Sequence, residues 1–197
     1  MHQETAVQKP QQIGTVFTRY APALLQIALG SIFLGLMAQV AIPIPYSPVP
    51  ITLQTLAVAL LAISLGPIKA PLAVGAYLLQ ATAGLPVLAG GLPNPLWMIG
   101  PRAGYLASYL VASYFVGRLL NRQQQPSFFR SWLILSLNET VILTIGTLWL
   151  TFFYGWTQAF LIGMLPFIPG GLIKISVAAT AVQPTRWVKK KWESLMR

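Results

Sequence analysis

Cysteine and aspartate are both absent from this 197-residue chain, and its single histidine, His2, lies in a polar N-terminal segment. Without cysteine the chain forms no disulfide and offers no thiol nucleophile. Its carboxylate side chains are limited to Glu4, Glu139 and Glu193. The ligands and acid–base groups that zinc, magnesium and hydrolytic sites require are therefore missing. This inventory argues against an enzyme and predicts neither a metal nor a cofactor.

Charged residues are also scarce, because they make up 8% of the chain while hydrophobic residues make up 55%. Average soluble domains have about 25% charged residues, so this composition indicates a protein whose outer surface faces lipid. A membrane-spanning helix needs about 20 residues, and the chain length allows one domain of about six crossings. The net charge of +10 does not indicate nucleic-acid binding, because the cations lie between apolar runs and not in one patch.

Apolar runs, interrupted by proline, glycine and polar residues, predict an all-α integral membrane protein with a bundle of six transmembrane helices. The predicted spans are residues 21–42, 52–65, 70–84, 103–120, 132–153 and 169–187. Between them we expect a proline-rich loop at residues 43–50 and a glycine-rich loop at residues 84–101, because their prolines exclude a helix interior. Residues 157–167 are predicted as a short outer or re-entrant segment.

Lysine and arginine residues cluster at alternate ends of the predicted spans. Eleven of the thirteen lie on one side: Lys9, Arg19, Lys69, Arg118, Arg122, Arg130, Arg186, Lys189, Lys190, Lys191 and Arg197. The positive-inside rule then predicts a cell-membrane protein with both termini in the cytoplasm. The chain divides accordingly into a cytoplasmic segment at 1–20, a transmembrane domain at 21–185 and a basic cytoplasmic tail at 186–197.

Arg102 and Lys174 are the two exceptions, because the predicted topology places both at the outer ends of helices. Glu139 is interpreted as an interfacial or helix-starting residue, so neither cation has an obvious acidic partner. Two interpretations are open: both side chains extend to the outer headgroups, or both face one outer cavity and attract a carboxylate. The irregular loops on the same side favour a cavity, because such backbone is tolerated at membrane depth only where it is buried or lines one.

Five short segments carry a resemblance to a known family. They are residues 48–56 (PVPITLQTL), 65–67 (LGP), 84–91 (GLPVLAGG), 100–106 (GPRAGYL) and 167–174 (FIPGGLIK). Their order and spacing over residues 21–182 resemble the BioY family, the biotin-binding S components of energy-coupling factor (ECF) transporters. One position departs from the family pattern, because Gly171 stands where the family has aspartate.

The resemblance implies a six-helix subunit of the ECF S-component type that binds biotin near the outer face for uptake. A transmembrane coupling protein and two cytoplasmic ATPases would supply the energy, and this chain has no phosphate-binding Gly-x-x-x-x-Gly-Lys loop of its own. Two alternatives are kept. One is an S component for a different small anionic vitamin, and the other is a membrane-embedded facilitator or lipid-acting enzyme.

The expected ligand site combines residues carried over from the family with residues inferred from their chemistry. Lys174 is the ligand contact carried over, and Arg102 is inferred to clamp a carboxylate. Thr52 and Gln54 are expected to be polar contacts. Tyr77 and Tyr105 are expected to line the cavity, with aromatic packing as the alternative. Gly90 and Gly91 would let the backbone approach the ligand closely. Trp97 is interpreted as an interfacial anchor in preference to a cover for the bicyclic ring of the ligand. Small residues of the first span are predicted to dock the coupling partner: Ser31, Gly35 and Ala38.

Overall fold

The computed structural model describes residues 10–91, 93–123 and 126–195. Within these ranges the chain forms six α-helices: α1 (Pro10–Gln39), α2 (Gln54–Thr82), α3 (Ala103–Asn121), α4 (Phe128–Tyr154), α5 (Trp156–Gly163) and α6 (Ile168–Leu195). Two short strands, β1 (Ala41–Ile42) and β2 (Ile51–Thr52), pair antiparallel and close the base of the proline-rich loop. Turns of 3-10 helix at Trp97–Ile99 and Leu165–Phe167 precede α3 and α6.

Helix α2 reverses direction at Gly66. The Nε2 atom of Gln54 donates a 2.7 Å hydrogen bond to the Tyr77 hydroxyl, whereas a continuous helix would separate residues this far apart in sequence by about 35 Å. Gly66 has φ 76° and ψ −170°, a conformation that favours glycine, and Pro67 suits the start of the returning half. The two halves of α2 are therefore antiparallel, as the two separate spans predicted from the sequence require.

Helix α1 packs on α2 through one face and leaves the other exposed. A Cβ atom added at Gly30 would lie 2.9 Å from the Cβ of Ala73, so a glycine at this position lets the two helices come this close. The opposite face carries exposed apolar side chains: Leu24, Leu25, Leu29, Ile32 and Leu36. An apolar face of this kind suits contact with lipid chains.

The predicted docking residues of α1 lie on its packed face. Ser31 and Ala38 have no exposed surface, and a Cβ atom at Gly35 would contact Val87 of the glycine-rich loop at 3.6 Å. The Ser31 hydroxyl also accepts a 3.1 Å hydrogen bond from Nε2 of Gln80. These three small residues serve packing within the chain, so the prediction that they dock a partner has no support in this structure.

Helices α3 and α4 approach each other at Gly104 and Gly146. Cβ atoms at these positions would overlap the Trp149 side chain and the Tyr105 ring, respectively. The Tyr105 hydroxyl donates a 2.7 Å hydrogen bond to the backbone oxygen of Gly163 at the end of α5. The Tyr105 ring is thereby fixed between three helices, at the end of the bundle where the irregular loops lie.

Four helical segments of the described chain are long and apolar enough to cross a membrane: Tyr20–Gln39, Gln54–Thr82, Phe128–Tyr154 and Trp156–Thr185. The chain is therefore a mostly helical, multi-pass membrane protein. The count of four segments treats α2 as one helix despite its reversal. It does not confirm the six crossings predicted from the sequence.

Two helix boundaries differ from the predicted ones. Helix α1 begins at Pro10 instead of near residue 21, and α6 continues to Leu195 instead of ending near residue 187. The sequence criterion places a boundary where an apolar run meets charged or polar residues, but lysine, arginine and glutamine are themselves good helix formers. Each helix therefore continues past its apolar run. Residues 1–9 of the predicted N-terminal segment lie outside the described residues.

Candidate functional site

A cavity of about 620 Å³ lies at the end of the bundle that carries the irregular loops. Its walls are the proline-rich loop, the start of α2, the glycine-rich loop, and the first two turns of α3 with the residues before them. Ligand pockets in proteins are typically about 300–1,000 Å³. The cavity therefore has room for a small molecule, on the side where the sequence predicts the outer loops.

Arg102 is the cation on the cavity wall. It immediately precedes α3, and its Nε atom donates a 2.6 Å hydrogen bond to the backbone oxygen of Pro48 in the proline-rich loop. Partial burial lowers the pKa of its guanidinium from the ordinary value. Arginine side chains stay protonated in proteins, so this group is a cation. Within the described chain no carboxylate pairs with it. Its terminal nitrogens therefore present a planar donor pair suited to a ligand carboxylate.

Thr52 and Gln54 form a neutral polar wall at the start of α2. The Thr52 hydroxyl donates to Oε1 of Gln54 at 3.1 Å and accepts a 3.3 Å hydrogen bond from the Gln54 backbone N–H. Both residues line the cavity. Tyr77 was also predicted to line the cavity. It is instead fully buried behind Gln54 and holds that side chain by the 2.7 Å hydrogen bond described above.

Lys174 has an acidic partner, contrary to the prediction. Its Nζ atom lies 3.7 Å from Oε1 of Glu139, donates to the Thr55 hydroxyl at 2.5 Å and reaches the Thr52 backbone oxygen at 3.4 Å. Lys174 therefore contacts Thr52 from behind and does not itself line the cavity. The interpretation of Glu139 as interfacial or helix-starting is also wrong, because this residue lies inside α4 and is only 6% exposed. The two residues come together only when α4 packs against α6, which no local spacing in the sequence indicates.

Three aromatic side chains line the cavity. Tyr105, Tyr109 and Trp97 line it, and all three are buried. The indole N–H of Trp97 donates to the Thr82 hydroxyl at 3.0 Å, so this residue belongs to the cavity wall and the prediction of an interfacial anchor is wrong. Sequence reasoning missed Tyr109, although its position four residues after Tyr105 places both rings on one face of α3.

The glycine-rich loop is tied to the end of α1 by Gln39. Its Nε2 atom donates to the backbone oxygens of Val87 and Leu88 at 3.3 and 3.4 Å. Gly90 lines the cavity with φ 97°. Gly91 has φ 67°, and a Cβ atom there would lie 3.3 Å from Oε1 of Gln39, so it faces α1 instead. No pattern in the sequence distinguishes Gln39 from an ordinary polar residue at a helix end.

The structure thus brings five of the eight predicted ligand residues to the cavity surface: Thr52, Gln54, Gly90, Arg102 and Tyr105. Tyr77, Gly91 and Lys174 lie one layer behind, where they contact Gln54, Gln39 and Thr52. The result is a cavity with one cation, a neutral polar wall and several aromatic faces. Such a lining suits a small molecule that has a carboxylate, a neutral polar group and apolar surface.

Known proteins of one family resemble this chain in sequence and in structure. The sequence profile of the BioY family matches residues 8–191. "Biotin transporter BioY2" of Lactococcus lactis subsp. cremoris is 35% identical over 154 residues, which are 77% of this chain and 83% of the relative. "Biotin transporter BioY" of Thermotoga maritima is 33% identical over 156 residues, which are 78% of this chain and 91% of the relative.

Among solved structures, the chain is similar to the "Crystal structure at 2.1 A of the S-component for biotin from an ECF-type ABC transporter". The two superpose with a TM-score of 0.77 at 29% sequence identity, over 88% of this chain and 93% of the other. The segments that surround the cavity fall within the residues matched by the family profile. The chain belongs to the BioY family.

Proposed function

We propose that this chain is the biotin-binding S component of an ECF transporter and that it captures biotin in the cavity described above. The observation that carries this proposal is the cavity itself, which combines one cation, a neutral polar wall and aromatic faces. Support comes from relatives named biotin transporters and from the likeness to an S component for biotin. The chain binds its substrate and performs no chemistry on it.

Biotin has a carboxylate on a flexible chain and a ureido group on a bicyclic ring, and each part has a counterpart in the cavity. The guanidinium of Arg102 pairs with the carboxylate. Thr52 and Gln54 offer the hydrogen-bond donors and acceptors that the ureido group requires. The rings of Trp97 and Tyr105 supply apolar surface for the bicyclic ring.

The proposal includes six crossings, assigned to α1, the two halves of α2, α3, α4 and α6, with α5 as a short outer helix. The cations Lys69, Arg118 and Arg122 support an orientation with the cavity outside, because they lie at the helix ends remote from it. At that inner end, a Cβ atom on Gly66 would lie 3.0 Å from Asn121. Both termini are then cytoplasmic.

On this topology the chain consists of the cytoplasmic segment at 1–20, the transmembrane domain at 21–185 and the basic cytoplasmic tail at 186–197. Energy for uptake comes from partners, because the sequence holds no phosphate-binding loop. We assign that role to a transmembrane coupling protein and two cytoplasmic ATPases. The buried positions of Ser31, Gly35 and Ala38 leave the docking surface for these partners on other residues.

Calorimetric titration of the detergent-purified chain tests the proposal. Biotin should bind tightly with no nucleotide and no partner present, and biotinamide should bind more weakly because it lacks the carboxylate. Failure to bind biotin would refute the assignment, and tight binding of another small anionic vitamin would favour the alternative that Gly171 suggests. Biotin flux into liposomes that contain only this chain would instead indicate a self-sufficient facilitator.

A further inference from the structure

Glu139 is a carboxylate inside the helix bundle. Its side chain is only 8% exposed, and it forms an ion pair with Lys174, whose side chain is 12% exposed. The Oε1 to Nζ distance is 3.7 Å, longer than the roughly 2.7–2.9 Å of a charge-assisted hydrogen bond. The pair is therefore an electrostatic contact, and the hydrogen bonds of Lys174 go elsewhere.

The hydrogen bonds of Lys174 lead to the cavity wall. Its Nζ atom donates to the Thr55 hydroxyl at 2.5 Å and to the Thr52 backbone oxygen at 3.4 Å. Thr52 in turn bonds to Gln54, and both line the cavity. A continuous set of contacts thus runs from Glu139 through Lys174 to the polar wall.

Helix α4 holds the same part of α2 through a neighbouring residue. The Nδ2 atom of Asn138 donates to the backbone oxygen of Thr55 at 3.1 Å. Position 139 therefore lies directly behind the site, although Glu139 itself does not reach the cavity surface.

Gly171 leaves the space that the Glu139 side chain occupies. A Cβ atom at position 171 would lie 3.4 Å from Oε2 of Glu139 and 3.5 Å from its Cδ atom. Position 171 also precedes Lys174 by three residues on α6, which places both on one face of that helix. A carboxylate could thus reach this place from either α4 or α6, and two carboxylates would crowd each other.

We infer that Glu139 is a positioning residue for ligand binding, whose charge holds the Lys174 ammonium against Thr52 and Thr55. Glu139 also neutralises Lys174, so the cavity presents the single net positive charge of Arg102 to the ligand. This inference rests on the proposed function, because biotin affinity is its readout. It assigns a role in the site to a residue that does not touch the ligand.

A double-mutant cycle of Glu139→Gln and Lys174→Gln separates this role from independent effects. Each single variant should weaken biotin binding by about tenfold or more. Because Glu139 acts through Lys174, the double variant should bind no more weakly than Lys174→Gln alone. Losses that simply add, or wild-type affinity in Glu139→Gln, would overturn the inference.

Moving the carboxylate from position 139 to position 171 gives a second test. A purely structural role of Glu139 would not predict the rescue described here. Gly171→Asp in the Glu139→Gln background should restore most of the lost affinity, whereas Gly171→Ala in the same background should not. Gly171→Asp in the wild-type chain should weaken binding, because two carboxylates then crowd one ammonium. Equal affinities for the aspartate and alanine rescue variants would contradict the charge argument.

Two controls distinguish a loss of binding from a loss of folding and from a wrong ligand. Each variant is titrated well below its own Tm, so a loss of affinity is not a loss of folded protein. The wild-type titration tests the proposed function and the variant series tests Glu139. If the wild type fails to bind biotin, the proposed function fails; if it binds and the variants behave like it, only this inference fails.

Discussion

The Nε atom of Arg102 donates a 2.6 Å hydrogen bond to the backbone oxygen of Pro48. This bond joins the start of α3 to the proline-rich loop, and both segments line the cavity. One edge of the guanidinium therefore fixes the loop while the other edge is available to a ligand. Arg102 has two separable roles, and ligands with and without a carboxylate distinguish them.

Arg102→Gln should weaken biotin binding by about 10- to 100-fold, because a hydrogen bond to a charged group contributes about 1.5–3 kcal/mol. Biotinamide has no carboxylate and should lose much less affinity. Titration calorimetry with both ligands measures the two losses. Arg102→Lys is the control: it keeps the charge but lacks the planar donor pair, so its affinity for biotin should be intermediate. Equal losses for biotin and biotinamide in Arg102→Gln would contradict the carboxylate contact.

Variants of Gln54 and Tyr77 compare a residue that lines the cavity with one that lies directly behind it. Gln54→Leu removes polar surface from the cavity and should weaken biotin binding by about tenfold or more. Tyr77→Phe removes only the hydrogen bond behind that surface. It should cost about 1 kcal/mol of stability and change the affinity by less than about threefold.

Titration and thermal unfolding in detergent measure the two effects separately. A Tyr77→Phe variant that loses as much affinity as Gln54→Leu would show that the hydroxyl does more than hold Gln54 in place. Unchanged affinity in Gln54→Leu would remove Gln54 from the site.

The sequence predicted the parts of this structure that depend on local rules. Gly66-Pro67 marked the reversal of α2, and the proline-rich and glycine-rich segments marked the loops that line the cavity. Contacts between helices that are far apart in the sequence could not be predicted. Glu139 and Lys174 are 35 residues apart, and nothing near either residue indicates that α4 brings one to the other.

The docking prediction shows a different limit. A helix face of small residues reads the same in sequence whether it meets a helix of its own chain or one of a partner. Ser31 and Ala38 are fully buried, and Gln80 of α2 donates a hydrogen bond to the Ser31 hydroxyl. Only the three-dimensional arrangement separates the two cases, so this part of the interaction surface could not be read from the sequence.

The close approach of α4 to Tyr105 is a further test. Gly146→Ala places a methyl group where the Tyr105 ring lies. Overpacking of this kind typically costs about 1–3 kcal/mol, and it should displace a ring that lines the cavity. We expect a lower Tm and weaker biotin binding together. Gly75→Ala is the matched control, because the nearest atom to its added Cβ is 3.9 Å away. Alanine is also the better helix former, so this variant should keep its affinity and should not lower the Tm. A Gly146→Ala variant with wild-type affinity would argue against a contact between Tyr105 and the ligand.

The last prediction concerns the stability of the chain reversal at Gly66 in α2. Gly66 has φ 76° and ψ −170°, a region that other residues enter at a cost of about 1–3 kcal/mol, and an added Cβ would lie 3.0 Å from Asn121. Gly155 has nearly the same conformation, φ 71° and ψ 169°, but no atom lies within 4 Å of its added Cβ. Gly66→Ala should therefore lower the Tm more than Gly155→Ala does, because it combines backbone strain with crowding.

The difference between these two alanine variants measures the crowding alone, and removing Asn121 should abolish it. Thermal unfolding of Gly66→Ala combined with Asn121→Ala should give a Tm loss close to that of Gly155→Ala, once the effect of Asn121→Ala by itself is subtracted. The reversal brings Gln54 to Tyr77, so Gly66→Ala should also weaken biotin binding although position 66 lies at the opposite end of the bundle. If Gly66→Ala and Gly155→Ala lower the Tm equally, Asn121 does not crowd a side chain at position 66. If Gly66→Ala leaves the biotin affinity unchanged, the turn does not set the geometry of the cavity.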